Sequence, residues 1–297
     1  MTTIGVLSGG LVTAAAASPR PVPAASALAG DREATANKAM VVHFFDQLFN
    51  HGNLAVIDRF VRPDYIQHHP NSPDGRDALR QYVTGLRAAH PELHVTVERA
   101  LAEGDLVLLH SNSVSEPGTK GQAVVDVFRV QDGKIAEHWD VTQPVPDTSV
   151  SGNDMFSTLS APQRQWPDPR VSTAESKRIA TTMFNEVTAG RDVTAFDRYA
   201  VDPFYQHNPQ SPNGIAAAKG FFASVLENPG FSVSVKQVIA QGDYVAIHAL
   251  YKFAPDDPGT PVLDLYRVRD GKVVEHWDVI QSVPAVSAVS ANDNTMF

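Results

Sequence analysis

The sequence predicts an α+β fold that is built twice, with three helices packed on a curved antiparallel sheet in each copy. Three observations predict this fold: the chain repeats itself, each copy opens with apolar residues at helical spacing, and each copy closes with stretches rich in β-branched residues. Spacings of about 3.6 and 2 residues distinguish helices from strands. Three helices followed by such a sheet form a cone whose pocket lies between helices and sheet.

The repeat covers nearly the whole chain and sets the predicted domain boundaries. Residues 33–156 align with residues 172–297 at an offset of 139 early in the unit and 138 later, and the string EHWDV occurs in both copies. A period this long indicates a duplicated domain, and 297 residues suit two domains. We expect a leader at 1–30, a first domain at 31–156, a linker at 157–171 and a second domain at 172–297.

The elements of the first copy follow from its residue spacing. Apolar residues predict helices at about 40–49, 54–61 and 79–86. The loop at 67–75 contains prolines and a glycine, which exclude regular structure. Four strands of an antiparallel meander are predicted at about 93–102, 105–114, 122–131 and 134–143. The last two strands are joined at Asp132 and Gly133, a strong hairpin signal.

Composition excludes several classes of function. The net charge is −9 and no lysines or arginines cluster, which argues against binding to nucleic acids or anionic membranes. The chain has no cysteine and therefore no disulfide, thiolate metal site or cysteine nucleophile. No segment has the roughly 20 apolar residues that a membrane span needs.

The first thirty residues differ from the rest of the chain. They are small, apolar and then proline-rich, and they end in an Ala-Leu-Ala triplet at 27–29, which resembles a signal peptide. A disordered leader is the alternative, because no basic residue precedes the apolar stretch. The first interpretation predicts a periplasmic or secreted protein, and the second predicts a cytoplasmic one.

Polar side chains recur inside the apolar stretches of both copies. Burial of such groups costs free energy unless they are paired or functional. The first copy contains His68, His69, His110, Asp126, His138 and Asp140, and the second contains His207, Asn208, His248, Asp264, His276 and Asp278.

The hairpin decides which of these groups face one another. A three-residue loop would place Asp126 opposite His138, and a two-residue loop would place it opposite Trp139. Strand alternation puts Asp140 on the same face as His138, and it puts Trp139 and Trp277 on the opposite face as packing residues.

A buried carboxylate beside an imidazole suits general acid and base catalysis. Two other interpretations remain open. The same groups could form a hydrogen-bond network that only fixes the sheet, or they could bind zinc or iron.

Each copy also resembles the SnoaL-like domains of the NTF2-like superfamily. The resemblance is carried by the QHxP loop (Gln67 and Gln206), the GDxVxxH strand and the FRVxDGKIxEHWDV ending. It implies a cone-shaped fold that often pairs through its sheets. We therefore expect the two copies to form an internal pseudo-dimer, and a homodimer is a further expectation. The family's best-known enzymes close polyketide rings by aldol condensation without a cofactor.

The resemblance also implies roles for particular residues. The family's catalytic aspartate matches Asp140 and Asp278, and its assisting histidine on the preceding strand matches Asp126 and Asp264. This change from histidine to aspartate puts ring closure in doubt, whereas cofactor-free acid and base chemistry stays compatible with the residues.

The sequence therefore predicts a cofactor-independent acid/base enzyme of aldol, retro-aldol, cyclase, isomerase or lyase type. Its substrate is expected to be a hydrophobic, aromatic or polyketide-like small molecule, and no metal is predicted. The predicted catalytic residues are Asp140, His138, Asp126, His110, His68, Asp278, His276, Asp264, His248 and His207. The predicted substrate-binding residues are Gln67, His69, Tyr65, Gln206, Asn208 and Tyr205. The alternatives are a non-catalytic binding protein for an apolar ligand and a metal-dependent enzyme.

Overall fold

The computed structural model describes residues 24–281 and 291–296. The first unit contains α1 (Ala24–Phe49), α2 (Ala55–Phe60), β1 (Val61–Gln67), α3 (Arg76–Ala89), β2 (His94–Glu103), β3 (Leu106–Val114), β4 (Gln122–Gln131) and β5 (Lys134–Pro144). The second contains α4 (Thr173–Thr188), α5 (Ala195–Tyr199), β6 (Ala200–Gln206), α6 (Ile215–Leu226), β7 (Ser232–Gln241), β8 (Tyr244–Lys252), β9 (Thr260–Arg269) and β10 (Lys272–Ile280). Each unit is an α+β domain with three helices packed on a sheet, as predicted.

The predicted leader falls largely outside the described residues, which begin at residue 24. Helix α1 already starts at Ala24, so the predicted boundary at residue 30 lies inside a helix. None of the helices in the described part of the chain is long and apolar enough to cross a membrane.

Each unit has a five-stranded sheet, in the orders β1-β5-β4-β3-β2 and β6-β10-β9-β8-β7. Four strands of each sheet are antiparallel, but β1 runs parallel to β5 and β6 runs parallel to β10. The prediction of a wholly antiparallel sheet is therefore wrong by one strand per unit. The missed strand β1 contains Arg62, Pro63 and Asp64, which break the apolar alternation. Proline is tolerated there because β1 is an edge strand.

The helices cover one face of each sheet. In the first unit Val41, Phe44 and Leu48 of α1 are buried against the sheet, and Met183 and Phe184 of α4 do the same in the second unit. Such burial stabilises each side chain by about 1.5 to 3 kcal/mol. These two cores lie between the helices and the sheet of each unit.

The opposite faces of the two sheets pack on each other. Their shared core includes Leu101 and Trp139 from the first unit and Ile239 and Trp277 from the second. The contacts are reciprocal: Gln143 Oε1 accepts a hydrogen bond from the backbone of Ile280, and Gln281 Oε1, at the aligned position, accepts one from Thr142. Reciprocity of this kind characterises a two-fold interface. The predicted internal pseudo-dimer would use this packing, and it stays a prediction, as does the homodimer.

The predicted linker at 157–171 is bound to the second unit along much of its length. Ser160 is buried, and its backbone N–H and hydroxyl both donate to Glu275. Arg267 in turn donates to the carbonyls of Ser160 and Pro162 at 2.7 and 2.8 Å. Because these groups are buried and paired, the linker is part of the core between the units.

The segment that follows each unit contacts the other unit. Asn153 Nδ2 donates to the carbonyl of Gln206 at 2.9 Å, and Asn294 Nδ2 donates to the carbonyl of Gln67 at 2.9 Å. We call residues 149–156 the first tail and residues 291–296 the second tail. Each tail therefore holds the QHxP loop of the unit to which it does not belong.

Candidate active site

Strand alternation divides the EHWDV string between two environments. His138 and Asp140 line a cavity under the helices of the first unit, whereas Trp139 belongs to the core between the sheets. The second unit repeats this division, with His276 and Asp278 lining its cavity and Trp277 in the shared core. The prediction that the tryptophans are packing residues on the opposite face is confirmed.

In each unit the cavity that the histidine and the aspartate of EHWDV both line lies between the helices and the sheet. The first, pocket 1, has a volume of about 290 Å³ and the second, pocket 2, about 370 Å³, close to the range of small-molecule sites. The polar residues that the structure brings together are Gln67, His69, Asp126, His138 and Asp140 in pocket 1, and Gln206, Asn208, Asp264, His276 and Asp278 in pocket 2.

The hairpin pairs its residues in a register that neither predicted loop gives. Gln131 pairs with Lys134, so the loop has two residues, and a register shift follows before Glu137 pairs with Arg129. This bulge moves the pairing by one residue and places Asp126 directly opposite Asp140. Both predicted partners of Asp126 are therefore wrong. The three polar groups still share one face, because His138 Nε2 lies 2.9 Å from Asp126 Oδ1.

Gln67 fixes the tautomer of His138. Its Oε1 accepts the backbone N–H of His69 at 3.0 Å, which identifies that atom as the amide oxygen. The same oxygen lies 3.1 Å from His138 Nδ1, so Nδ1 carries a proton and donates it. The remaining nitrogen, Nε2, and Asp126 then share one proton between them. In the second unit Gln206, His276 and Asp264 repeat the arrangement at 2.8 and 3.0 Å.

Beside each His–Asp pair lies a second aspartate, Asp140 or Asp278, that faces a side chain of the QHxP loop. In pocket 2, Asn208 Nδ2 donates to Asp278 Oδ2 at 2.7 Å, while Asn208 Oδ1 accepts the backbone N–H of Gln210. In pocket 1, His69 Nδ1 accepts the backbone N–H of Asn71, and its Nε2 lies 3.9 Å from Asp140 Oδ2. Histidine and asparagine therefore both accept from the loop and direct an N–H toward the carboxylate, within hydrogen-bond distance for Asn208 and at 3.9 Å for His69.

The other oxygen of each of these aspartates, Oδ1 of Asp140 and Oδ1 of Asp278, is buried and has no hydrogen-bond partner among the described residues. Burial raises the pKa of Asp278 to about 6, although the neighbouring charge of His276 opposes the rise. Burial also raises the pKa of Asp126, in part offset by its hydrogen bond from His138. For His138 burial disfavours the charged ring, but the hydrogen bond and charge of Asp126 outweigh it and raise the pKa.

His68 and His207 lie outside the pockets, contrary to prediction. The ring of His68 stacks on Trp139 with centroids 4.4 Å apart, and its nitrogens contact the carbonyl of Thr295 in the second tail and the carboxylate of Glu137. His207 stacks in the same way on Trp277 and contacts Asp154 of the first tail and Glu275. These histidines fasten the loops to the sheet, where no substrate in the pockets can reach them.

His110 and His248 also point into the core between the sheets. Arg99 Nη1 donates to His110 Nδ1 at 2.7 Å, and burial together with the Arg99 charge holds the pKa of His110 well below its usual range. Burial lowers the pKa of His248 to about 4, with smaller effects from Lys236 and His68. The pocket faces of these strands carry Ser111 and Ala249 instead, because side chains alternate.

The predicted tyrosines also occupy different places. Tyr65 is buried beneath Gln67 and accepts a hydrogen bond from Gln67 Nε2 at 3.1 Å. Tyr205 does not line pocket 2, where Phe204 stands instead. At the repeat offset of 139, Phe204 and not Tyr205 is the residue that aligns with Tyr65.

Two further kinds of functional residue were missed. Tyr251 donates its hydroxyl proton to Asp264 Oδ2 at 2.9 Å, and burial keeps its pKa well above the usual value. The glutamates of the EHWDV strings hold the loop histidines. Their position in the repeated string was a visible signal, whereas the tyrosine has no counterpart in the first copy.

One group of pocket residues has the spacing of metal ligands. Within the described residues, ligand atoms of Asp264, His276 and Asp278 all lie within 4.8 Å of one another. Carboxylates and imidazole are ordinary ligands for zinc and iron. The metal-dependent interpretation thus applies to the second unit.

Comparisons with known proteins match both units. A family model described as the SnoaL-like domain matches residues 41–138 and 180–276, which make up more than half of the chain. No curated protein matches the sequence.

Solved structures match single units. The chain is similar to a candidate polyketide cyclase from Acidithiobacillus ferrooxidans, with 21% identity over 36% of this chain and 88% of that one, at a TM-score of 0.33. It is similar to a candidate ketosteroid isomerase from Kribbella flavida, with 18% identity over 40% and 87%, at a TM-score of 0.34. An NTF2-like protein of unknown function from Mesorhizobium loti matches with 21% identity over 39% and 97%, at a TM-score of 0.35.

Proposed function

Because the chain belongs to the SnoaL-like domain family, we propose that it catalyses cofactor-independent proton transfer on a hydrophobic small molecule that carries a carbonyl group. Aldol and retro-aldol reactions, cyclisations and isomerisations of such molecules all pass through an enol or enolate. The enzyme must therefore move a proton at carbon or hydroxyl and stabilise charge on oxygen.

The observation that carries the proposal is the open oxygen of the pocket aspartates. Asp140 Oδ1 and Asp278 Oδ1 are buried and lack partners among the described residues, whereas each Oδ2 is next to an N–H group of His69 or Asn208. A buried acceptor without a partner costs about 1 to 3 kcal/mol. An oxygen held in this way is suited to receive a substrate proton. We assign Asp140 and Asp278 as the general bases.

The neighbouring His–Asp pair supplies the acid in pocket 1. In pocket 1 both nitrogens of His138 are engaged by Gln67 and Asp126, so His138 acts through Asp126. Asp126 Oδ2 is buried without a partner in the described structure. When the proton of the pair resides on Oδ2, Asp126 is a neutral carboxylic acid that can donate it to the substrate oxygen and become a carboxylate. In pocket 2 the corresponding oxygen of Asp264 already accepts the Tyr251 hydroxyl proton, so there the proton that Asp278 takes up is returned to the substrate by Asp278 itself. In pocket 1 the base gains one proton and the pair releases one, so the total is conserved in both pockets.

The test uses a small ketone whose enolisation can be followed directly. The exchange of the α-protons of 2-tetralone in D₂O, monitored by NMR, reports proton abstraction without knowledge of the natural substrate. A general base contributes about 10² to 10⁴ in rate, so Asp140→Asn together with Asp278→Asn should reduce exchange at least about a hundredfold. Asp132→Asn is the matched control, because Asp132 lies in the hairpin loop and is 96% exposed. Exchange at the wild-type rate in the double variant would refute the assignment.

Two alternatives have distinct results in the same experiment. A binding protein would bind 2-tetralone without accelerating exchange. A metal-dependent enzyme is favoured by the spacing of Asp264, His276 and Asp278. One equivalent of zinc or iron in elemental analysis of protein purified without added ions would support it.

A further inference from the structure

The two pockets share their polar wall but differ along one strand. The side chains of β3 and β8 that face the cavities, with the residue two positions further on, form what we call the side wall. It consists of Ser111, Ser113 and Ser115 in pocket 1, and the aligned positions in the second unit are Ala249, Tyr251 and Phe253. Three hydroxyls thus correspond to a methyl group and two aromatic rings.

The side wall of pocket 1 has hydrogen-bonding capacity that the protein does not use. Ser111 is fully buried, and its Oγ has no partner among the described residues. Asp126 Oδ2, on the adjacent strand, is likewise buried without a hydrogen-bond partner among the described residues. Gln122 at the end of β4 adds an amide to the lining. Because buried polar groups are normally satisfied, these atoms indicate a ligand that carries several oxygens.

Pocket 2 has satisfied the equivalent groups with its own side chains. The Tyr251 hydroxyl binds Asp264 Oδ2 at 2.9 Å, which leaves an aromatic ring as the surface towards the cavity. Phe221 and Phe222 contribute two more rings, packed edge to face with centroids 5.2 Å apart. Pocket 1 also has rings, from Phe45, Phe49 and Tyr82, but Tyr82, aligned with Phe221 and as exposed, carries a hydroxyl where Phe221 is wholly apolar. Aromatic surfaces of this kind favour a flat apolar ring system.

We infer that the two pockets bind different ligand classes: pocket 1 binds a ring compound with several hydroxyl or carbonyl oxygens, and pocket 2 binds a flat, largely apolar aromatic compound. The inference rests on the proposed function only for the role of the polar residues that both pockets share, the aspartates and the His–Asp pairs. The side walls, which differ, determine which molecule binds next to those residues. The chain would then act on two different compounds, or on two intermediates of one reaction sequence that differ in oxygen content.

The test compares two probes with the same ring system, 1,3,6,8-tetrahydroxynaphthalene and 2-naphthol, by anaerobic titration calorimetry with the full chain. The wild type should bind one equivalent of the tetrahydroxy probe in pocket 1 and one of 2-naphthol in pocket 2. Ser111→Ala should weaken binding of the tetrahydroxy probe about tenfold, since one buried hydrogen bond is lost. Ala249→Ser, at the aligned position of the second unit, is the matched control and should leave that binding unchanged.

A combined variant tests the side wall as a whole. Ser111→Ala, Ser113→Tyr and Ser115→Phe together give the side wall of pocket 1 the residues of the second unit, so the chain should take up two equivalents of 2-naphthol and lose the tetrahydroxy site. Two equivalents of either probe with one affinity in the wild type, or tetrahydroxy binding unaffected by Ser111→Ala, would overturn the inference. The single variant remains informative if the triple variant does not fold. Binding is measured without turnover, so failure of 2-tetralone exchange would remove the proposed chemistry alone.

Discussion

Pockets 1 and 2 differ least at the proton-transfer groups and most at the surfaces that would contact the rest of a substrate. Each has an aspartate with one open oxygen and a His–Asp pair oriented by a glutamine. The loop residue that holds the aspartate has changed from His69 to Asn208, but both present an N–H. This pattern is expected when a duplicated site keeps its chemistry while its ligand changes.

The comparison also explains the departure from the family's pattern. The resemblance implies an assisting histidine where Asp126 and Asp264 stand. In this chain the imidazole comes from the neighbouring strand, as His138 and His276, and it binds those aspartates at 2.9 and 3.0 Å. An imidazole therefore still lies in this part of each pocket, although it comes from the neighbouring strand.

The largest effect that sharpens the comparison should come from the orienting glutamines. Gln206→Leu removes the acceptor of His276 Nδ1–H and with it the fixed tautomer. We expect pocket 2 to lose at least about tenfold in rate, with pocket 1 unaffected, as measured by 2-tetralone exchange in the Asp140→Asn background. Gln67→Leu in the Asp278→Asn background should do the same for pocket 1. If either substitution lowered the exchange rate of both pockets equally, the two pockets would not be independent sites.

The sequence predicted much of this arrangement because most of it is local. The repeat, the helices, the hairpin and the shared face of His138 and Asp140 follow from periods within a few residues. The register of Asp126 did not follow, because a bulge leaves no mark in the alternation. The places of His68 and His207 depend on tails more than fifty residues away in sequence, and local patterns carry no information about such contacts.

The next effect concerns stability rather than rate. The pKa of Asp278 in the folded protein is about 6, above the usual value of 3.8. Its carboxyl therefore contributes stability below the unfolded pKa, and this contribution is lost as the pH rises through about 6. Asp278→Asn should raise the free energy of unfolding at pH 7.5 by about 1 to 3 kcal/mol, and the gain should disappear near pH 4. Denaturant unfolding at both pH values measures it; destabilisation at pH 7.5 would contradict the burial argument.

The tails allow each pocket to be perturbed from the other unit. Asn294 Nδ2 donates to the Gln67 carbonyl and to Asp74 Oδ1, and Asn153 makes the equivalent bonds to Gln206 and Asn213. Asn294→Ala should destabilise the loop at 67–74 by about 1 to 2 kcal/mol and lower the rate of 2-tetralone exchange in pocket 1 only. Asn153→Ala should lower the rate in pocket 2 only. Amide hydrogen exchange of the two QHxP loops distinguishes the two variants. Faster exchange in the loop of the same unit as the changed tail would contradict the crossed contacts of the tails.

The smallest effect is expected where the two pockets already differ. His69→Asn converts the donor of pocket 1 into that of pocket 2, and asparagine can make the same two contacts. The free energy of unfolding should change by less than about 0.5 kcal/mol and the exchange rate by less than about threefold. His69→Leu is the contrasting variant, since it leaves Asp140 without an N–H. A large loss with asparagine would show that His69 itself transfers a proton.

The central claim is that a buried aspartate beside a His–Asp pair is the base, and the pH dependence of 2-tetralone exchange in the Asp140→Asn variant tests it most directly. Only pocket 2 remains active in this variant. Asp278, with a pKa of about 6, should give a rate that is level above that pH and falls about tenfold per unit below it. Adding Asp278→Asn should abolish the profile. A rate that does not change between pH 4.5 and 8, or an unchanged profile in the double variant, would contradict the account.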